Sequence, residues 1–495
     1  MKILKPLIIV LVLVLALPTH AQKKKENILL NRDFWGTQPS VALVEAKIKE
    51  GNNPSEANKG NFDPVVYAIL QDAPTATINY LLTQKGNDVN KLTHDGRTYL
   101  FWAAYKGNST IVEQLLKLGA KTDLTDDKGS TVIHFAASAG QQNIEVYELI
   151  LKENSELVHE TNPHGANALL LAAPSDPDFK LTSYFLSKGL SIKSTDNDGN
   201  GIFNYAVKKG QLDLLKMLVD KGLTGTDQAF IMAANGARGT TNGVEVYTFL
   251  ESVGLNPKVT NKEGISPLHI VAARGKDLKV IEYLMAKGLD VSTPDHKGNT
   301  AFMNAAGNNN VELVKTLAQH LNAVNNTNKK GQSALTLAVA ANSPEVVAYL
   351  IDKGFKTDIV DVDGNNLVAY AIGSYSARNK AAFSKKLEIL KSNGADVTAV
   401  QKNGNTWFHL AVEQNSLDLL KLAVDMNQDI NAKNSEGNTA LHIAALKAKD
   451  TTILKFLVDQ GAKKNLVTDF EETAYDLAKE NELLSDRNIS IEFLK

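Results

Sequence analysis

Histidine and cysteine often bind metals or take part in catalysis, but their distribution in this sequence favours neither role. The chain has ten His residues and no Cys. No His lies four residues from another His, and none belongs to a helical motif that pairs it with a second catalytic or metal-binding residue. We therefore expect neither a metal site nor a general base. Without Cys, thiolate catalysis, disulfides and Cys-based zinc sites are excluded. The sequence also lacks the phosphate loop, the nucleophile elbow, the His-Glu-x-x-His motif and the dinucleotide fingerprint. We therefore expect no catalytic residue, no cofactor-binding residue and no metal ligand.

Two acidic runs have residue types that could bind calcium: Asp196-Asn197-Asp198-Gly199 and Asp361-Val362-Asp363-Gly364. A calcium loop with Gly at its sixth position requires carboxylates at its first and twelfth positions. In these runs the first position falls on Ser194 or Ile359, and the twelfth falls on Tyr205 or Tyr370. Both runs are better interpreted as polar turns.

The glycines of such polar turns recur with a regular period. Ten of them are separated by 33 to 40 residues, apart from one gap of 65 that spans a degenerate unit at 224–258: Gly96, Gly129, Gly165, Gly199, Gly264, Gly298, Gly331, Gly364, Gly404 and Gly437. Each turn precedes a short apolar helix and then a second helix that usually ends in Gly. Because two short helices cannot bury their apolar faces alone, neighbouring units must stack.

These units resemble the ankyrin repeat. The family segment Thr-Pro-Leu-His-x-Ala-Ala is echoed by 131–137, 266–269, 406–411 and 439–445, and the segment Val-x-x-Leu-Leu-x-x-Gly-Ala by 112–120 and 453–462. The resemblance implies an all-α ankyrin-repeat solenoid of about 12–14 helix-turn-helix units with β-turn tips and degenerate caps. It also implies hydrogen bonds between repeats from the motif histidines His134, His269, His409 and His442. We place the repeat array at 61–467, with capping repeats at 28–60 and 468–495.

The chain departs from the family pattern at several places. The motif Pro is kept only as Pro267, so most first helices lack its preset φ. Extra residues occur at 141–143, 235–243 and 374–384, and such insertions are expected in loops on one face of a repeat array. Partner contacts and neutral drift in a tolerant loop are equally compatible with them.

The N-terminal residues have the pattern of a secretory signal. Lys2 and Lys5 precede an apolar run too short to span a bilayer, and Thr19 and Ala21 place small residues before a cut at Gln22. We expect a cleaved signal peptide at 1–21, a linker at 22–27, no membrane insertion after cleavage, and a periplasmic or secreted protein. Lys plus Arg total 53 against 55 for Asp plus Glu, which gives no reason to expect a nucleic-acid partner.

The resemblance also indicates where a partner would bind. Ankyrin arrays bind through a concave face built from turn tips and first helices, so the candidates are the residues beside the turn glycines and after the first helices. They are His94, Arg97, Tyr105, Lys106, Lys297, Asn299, Asn308, Lys330, Gln332, Asn365, Tyr375, Asn403, Asn405, Glu436, Asn438 and Lys447. Five units place Asn directly after the turn Gly, either as a hydrogen-bonding ladder for an extended partner or as ordinary turn chemistry.

The sequence favours an exported, monomeric scaffold that binds a protein partner without catalysis. Two alternatives stay open. One is an enzyme whose site lies in the degenerate unit at 224–258 or in an end unit, and the other is a structural or adhesive spacer. A closed pocket with converging titratable groups would favour an enzyme, whereas a long open groove would favour a binding protein.

Overall fold

The computed structural model describes residues 26–237 and 241–495, in two compact units. The first unit comprises the described residues up to 172 together with 181–191, and the second comprises 173–180 and 192–495. The expected signal peptide at 1–21 and most of the expected linker at 22–27 lie outside the described residues.

The first unit consists of short helices that follow one another in pairs. Its helices are α1 Arg32–Gly36, α2 Val41–Lys49, α3 Pro64–Leu70, α4 Thr75–Leu82, α5 Tyr99–Lys106, α6 Ser109–Lys117, α7 Val132–Ser138, α8 Ile144–Glu153, α9 Ala168–Ala172 and α10 Lys180–Ser187.

The second unit continues the same alternation of first and second helices. Its helices are α11 Ile202–Ala206, α12 Leu212–Asp220, α13 Ala229–Asn235, α14 Val244–Ser252, α15 Pro267–Arg274, α16 Leu278–Ala286, α17 Ala301–Asn308, α18 Val311–Ala318, α19 Ala334–Ala341, α20 Pro344–Asp352, α21 Leu367–Gly373, α22 Lys380–Ser392, α23 Trp407–Glu413, α24 Leu417–Asp425, α25 Ala440–Lys447, α26 Thr452–Asp459, α27 Ala474–Glu480 and α28 Glu482–Ser485. The described residues thus confirm the all-α architecture of paired helices, and the degenerate unit at 224–258 retains both of its helices.

Many of the helices begin where a capping side chain meets an apolar run. Thr300 caps α17 by accepting the backbone N–H of Met303, which satisfies one of the free donors of the first turn. The residues that follow, Ala301 to Met303, are almost fully buried, as are Ala305 and Ala306. First helices are therefore apolar on most sides, because they lie between the helices of the neighbouring units.

Polar turns precede the first helices and connect one repeat to the next. In the turn before α17, Asp295 Oδ1 accepts the backbone N–H groups of Lys297 and Asn299, each at 2.8 Å. Gly298 has a φ of 82°, and a β-carbon there would lie 2.9 Å from the backbone nitrogen of Lys329, so only Gly fits without strain. Lys329 donates its N–H to the carbonyl of Lys297 at 2.9 Å, which joins successive turns.

The motif histidines form a second link between repeats, as the resemblance implied. His409 Nδ1 accepts the backbone N–H of Thr406 at 3.1 Å, which leaves Nε2 to donate to the carbonyl of Asn438 in the next unit at 2.9 Å. The same bridge is made by His134 to Glu160, by His269 to Asn299 and by His442 to Leu466. All four rings are buried.

Asparagines after the first helices form a third link. Asn309 Nδ2 donates to the carbonyls of Ala272 and Gly275 in the preceding unit, at 3.0 and 2.8 Å. Asn342 repeats the arrangement one unit later, towards Ala306 and Asn309. The free carbonyls at the ends of first helices are thus satisfied by the neighbouring repeat.

The insertion at 374–384 corrects one expectation, because it is not simply a loop. Its central part forms a 3₁₀ turn, Ala377–Asn379, and its last residues begin α22, which extends over 13 residues. Part of the insertion at 235–243, residues 238–240, lies outside the described residues.

The buried histidines predict a loss of stability on acidification. Burial lowers the pKa of His134, His269, His409 and His442, so these rings are neutral when folded and take up protons on unfolding below about pH 6.5. The free energy of unfolding should therefore fall as pH drops below that value, with a slope of at most about 1.4 kcal/mol per pH unit for each histidine.

Urea unfolding at pH 7.5, 6.5 and 5.5 measures this slope. The variant His409→Thr should flatten it, since Thr336 already fills the same position in another unit and forms a capping box with Ser333. The matched control is His320→Thr, which changes an exposed ring. An equal change of slope in both variants would contradict the assignment.

Candidate protein-interaction site

In the second unit, three consecutive first helices and the turns before the first two of them line an open cavity of about 490 Å³. The helices are α19, α21 and α23. The lining combines polar side chains with small or apolar ones: Lys330, Gln332, Asp361, Asp363, Asn365, Tyr370 and Ser374, together with Ala340, Ala369, Gly373 and Leu410. Lys330, Gln332 and Asn365 are among the partner-binding candidates from the sequence.

Small residues on α21 explain the open space. Ala369 stands three residues after Asn366, the N-cap of α21. In the next repeat, the motif histidine His409 stands three residues after the N-cap of α23. The methyl group of Ala369 cannot reach the neighbouring turn, and Gln401 Oε1 instead accepts the backbone N–H of Asn366 at 2.8 Å. Gly373 is exposed, and a β-carbon there would meet no atom within 4 Å. The cavity therefore lies where larger side chains of α21 would otherwise stand.

A hydrogen-bonded network fixes Tyr370 in the cavity wall. Its hydroxyl donates to Asp361 Oδ2 at 2.5 Å and accepts from Gln332 Nε2 at 2.8 Å. Asn365 Nδ2 also donates to Asp361 Oδ2, at 3.1 Å. Burial disfavours the charge of Asp361, but the donors from Tyr370 and Asn365 outweigh it and lower the pKa of the carboxyl group. Burial and the bond to Asp361 raise the pKa of Tyr370 to about 12, so the site presents a carboxylate and a neutral phenol at neutral pH.

Four of the five asparagines that follow the turn glycines use their side chains within the protein: Asn200, Asn299, Asn365 and Asn405. Asn365 donates to its own turn, as described above, whereas Asn299 Oδ1 accepts from Asn328 at 2.8 Å and Asn405 Oδ1 accepts from Asn434 at 2.9 Å. These contacts join successive turns and are turn chemistry. A ladder that also binds a partner stays a prediction.

The remaining candidates of the second unit differ in exposure and direction. Exposed side chains are those of Lys297, Asn308, Lys330, Glu436 and Lys447, and partly buried ones are those of Asn299, Gln332, Asn365, Tyr375, Asn403, Asn405 and Asn438. Lys447 pairs with Glu413 on the preceding first helix. Tyr375 does not line the cavity, because its hydroxyl donates to Asp418 in α24 at 2.7 Å.

The candidates of the first unit lie around an aromatic cluster. The ring of His94 stacks on Phe62 with a centroid distance of 4.3 Å, and the ring of Tyr105 stacks on Phe135 at 5.5 Å. Lys106 forms an ion pair with Asp72 at 2.7 Å. The rings and the lysine are only partly buried, so they contribute to a mixed aromatic and basic surface of this unit.

Arg97 has a different environment from its neighbours. Its side chain is buried, donates from Nη2 to Asp126 Oδ2 at 2.9 Å, and lies with its guanidinium carbon 4.1 Å from the ring centroid of Phe135. Its charge is therefore compensated within the first unit, and little of it reaches the surface.

Sequence reasoning did not select Tyr370, Asp363, Ala369 or Gly373 as site residues. One signal could have found the first two: the pattern Asp-x-Asp-Gly-Asn, followed five residues later by Tyr, occurs twice in the chain. The small residues carry no such signal, because Ala and Gly are common in first helices.

Within 26–237 and 241–495, no group of three His, Cys, Asp or Glu residues is placed to hold a metal ion. In the same part of the chain, no helix combines the length and apolar character needed to cross a bilayer.

Comparison with known proteins identifies the class of this chain. A family model described as ankyrin repeats in three copies matches residues 65–160, 230–328, 302–381 and 374–468, and a model described as ankyrin repeats in many copies matches 170–219. Together with the paired helices, these matches show that the chain belongs to the ankyrin repeat family. Ankyrin repeats are generally non-catalytic and mediate contacts between proteins.

Curated relatives share the repeats within larger proteins. The human transient receptor potential cation channel subfamily A member 1 is 24% identical over 442 residues, covering 88% of this chain and 34% of the channel. The phosphocholine transferase AnkX of Legionella pneumophila is 26% identical, covering 57% of this chain and 27% of AnkX. The human NF-kappa-B inhibitor zeta is 28% identical, covering 37% and 30%. The chain thus spans about a third or less of the length of these relatives.

Among solved structures, the chain is similar to the ankyrin repeat domain of human ASB11. The match has 22% sequence identity and a TM-score of 0.37, and it covers 45% of this chain and 96% of that domain.

The network around Tyr370 predicts a measurable contribution to stability. Tyr370→Phe removes the donor to Asp361 and the acceptor for Gln332, so the free energy of unfolding should fall by about 1 to 2 kcal/mol. The control is Tyr349→Phe, whose hydroxyl makes no hydrogen bond to a described residue. Chemical denaturation followed by circular dichroism compares the two, and equal losses would show that the network does not stabilise the turn.

Proposed function

We propose that this protein is an exported, non-catalytic scaffold that holds a protein partner on the face formed by turn tips and first helices. The observation that carries the proposal is the open cavity in the second unit. It lies at the repeat positions through which ankyrin arrays bind, and its lining includes Lys330, Gln332 and Asn365.

The composition of the cavity wall supports a protein partner. Leu410, Ala340 and Ala369 offer apolar contact, while Lys330 and Asp363 offer charge at the surface. Apolar contact inside a polar rim is the usual anatomy of a protein interface. A complete interface of about 1,200 to 2,000 Å² would extend beyond the cavity onto adjacent tips and helices, where Lys297, Glu436 and Lys447 are exposed.

The chemistry of the lining groups supports binding over catalysis. The Ser374 hydroxyl donates to the carbonyl of Ala371 at 2.9 Å, and the phenol of Tyr370 is held neutral by burial and by Asp361. The motif histidines bridge backbone groups between repeats. The Tyr370 hydroxyl lies beside the Asp361 carboxylate, but a pKa of about 12 keeps it protonated, and the Ser374 hydroxyl is bonded to a backbone carbonyl and not to a base, so neither is an activated nucleophile.

Export is proposed from the pattern of the first residues alone. The short apolar run and the small residues Thr19 and Ala21 fit a signal cleaved before Gln22. Mass spectrometry of the chain from its native host would detect an N-terminus at Gln22 if the proposal is correct, and an intact Met1 would contradict it.

A steric block of the cavity tests partner binding without assuming the partner's charge. Ala340 lines the cavity, whereas its neighbour Ala341 is exposed and does not. Ala340→Tyr should fill the space and reduce partner capture about tenfold or more, as expected for the loss of a central contact, whereas Ala341→Tyr should bind like the parent. Capture from an envelope extract, with crosslinking and quantification of the bound protein, measures the difference.

Folding is checked first by thermal unfolding of both variants. If Ala340→Tyr, Ala341→Tyr and the parent capture equal amounts of partner, the cavity is not the binding site. A spacer would capture no stoichiometric partner in any of the three forms.

A further inference from the structure

One arrangement of turn and helix occurs twice in the second unit, at 196–205 and at 361–370. The first has the sequence Asp196-Asn197-Asp198-Gly199-Asn200, followed by Tyr205, and the second Asp361-Val362-Asp363-Gly364-Asn365, followed by Tyr370. The same hydrogen bonds form in both. Each Tyr hydroxyl donates to the first Asp of its turn, at 3.0 Å for Tyr205 and 2.5 Å for Tyr370, and each Asn amide donates to the same carboxylate.

In the first copy, two lysines of the chain contact the aromatic ring and the outer carboxylate. Lys208 stands three residues after Tyr205, and its Nζ lies 4.5 Å from the centroid of the Tyr205 ring. Burial lowers the pKa of Lys208, and the charge of Asp196 opposes that shift. The second carboxylate, Asp198, forms an ion pair with Lys262.

The second copy keeps the acidic and aromatic groups but lacks both lysines. Gly373 stands three residues after Tyr370, where the first copy has Lys208. Asp363 is exposed, and no described ammonium group lies within 4 Å of it. The space beside the Tyr370 ring is instead part of the cavity of about 490 Å³.

We propose that this cavity binds a lysine side chain of the partner protein, with the ammonium group over the Tyr370 ring and beside Asp361 and Asp363. The inference rests on the proposed function and specifies the chemistry that the partner presents there. In the first copy, one lysine side chain lies over the ring of the same set of groups and a second pairs with its outer carboxylate. The second copy has the same acidic and aromatic groups, but no described lysine side chain lies over its tyrosine ring, because Gly373 takes the place of Lys208.

Lys330 also lines the cavity, and its positive charge distinguishes a basic partner group from an acidic one. Its ammonium makes no ion pair with a described carboxylate, and its long side chain can turn away into solvent. Against a partner lysine its charge is repulsive, so Lys330→Gln should tighten binding. For an acidic partner group, Lys330 would be the attractive residue, and the same variant should weaken binding.

The direct experiment uses a capped peptide of alternating serine and lysine and its counterpart in which each lysine is acetylated. Acetylation removes the charge and keeps the backbone. Binding to the full chain is measured by isothermal titration calorimetry at physiological ionic strength. The lysine peptide should bind at least about tenfold more tightly than the acetylated one, because both the cation–π contact and the carboxylate attraction require the charge.

Variants locate the binding at the cavity. Tyr370→Leu should weaken binding of the lysine peptide roughly two- to thirtyfold, the range of a cation–π contact, and Asp363→Asn should also weaken it. Gly373→Lys restores the arrangement of the first copy, since a side chain at Gly373 meets open space, and it should abolish binding by occupying the site. Gly373→Ala should bind like the parent. Ser392→Lys, which adds the same charge at the exposed end of α22, controls for net charge.

Any one of four results would overturn the inference: equal binding of the two peptides, no binding of either peptide, weaker binding by Lys330→Gln, or unchanged binding by Gly373→Lys. Its failure is separable from that of the proposed function. If Ala340→Tyr abolishes partner capture while Gly373→Lys and Asp363→Asn leave it intact, the cavity binds a partner through other chemistry and only the lysine assignment is wrong. If Ala340→Tyr leaves capture intact, the proposed site itself is wrong.

Discussion

A helix of seven to nine residues does not persist alone in water, and this constraint governs the whole protein. The first helix α19 has eight residues, and its neighbour α21 has seven. Each becomes stable only by packing against the helices before and after it. Stacking leaves the ends of these helices and the turns between them with many free backbone groups, so the repeats are joined by polar links as well as by apolar contact: the turn amides, the motif histidines and the asparagines after the first helices.

The same stacking determines where a partner can bind. Residues of a first helix that pack between neighbours must be small or apolar, as Ala305 and Ala306 are. Residues on its remaining side, such as Tyr370, Gly373 and Leu410, carry no packing requirement of that kind. They can vary from repeat to repeat more freely than the buried residues, although hydrogen bonds such as those of Tyr370 contribute to stability, and the cavity is one consequence of that freedom. Function in a repeat protein thus depends on local departures from a regular framework.

The sequence predicted the framework well and the site only in part. The period, the turn glycines and the motif histidines were sufficient to predict the paired helices. Each reflects a local structural requirement, such as a positive φ at Gly298 or a buried hydrogen-bonded bridge at His409. Lys330, Gln332 and Asn365 were selected from the sequence and line the cavity, since repeat position determines which way a turn residue points. Gly373 was not selected, because a cavity is defined by what neighbouring side chains leave empty, and Tyr370 was not selected although the repeated Asp-x-Asp-Gly-Asn turn indicates it. The burial of Arg97 was missed for a similar reason, since its partner Asp126 belongs to the next turn.

The two copies of the Asp-x-Asp-Gly-Asn turn differ in whether lysines of the chain itself cover the acidic and aromatic groups. In the first copy, Lys208 stands three residues after the tyrosine and lies over its ring, and Lys262 pairs with Asp198, so the chain itself supplies the positive charges. With glycine there, as at Gly373, the same hydrogen bonds between tyrosine, asparagine and aspartate persist, so the turn stays ordered while its acidic groups remain uncompensated. A preorganised site follows, because the groups that would contact a ligand are already fixed by bonds the fold needs in any case. Similarity among repeats therefore has a use beyond recognising the family: a filled position in one unit specifies the chemistry of the ligand that an open position in another unit can bind.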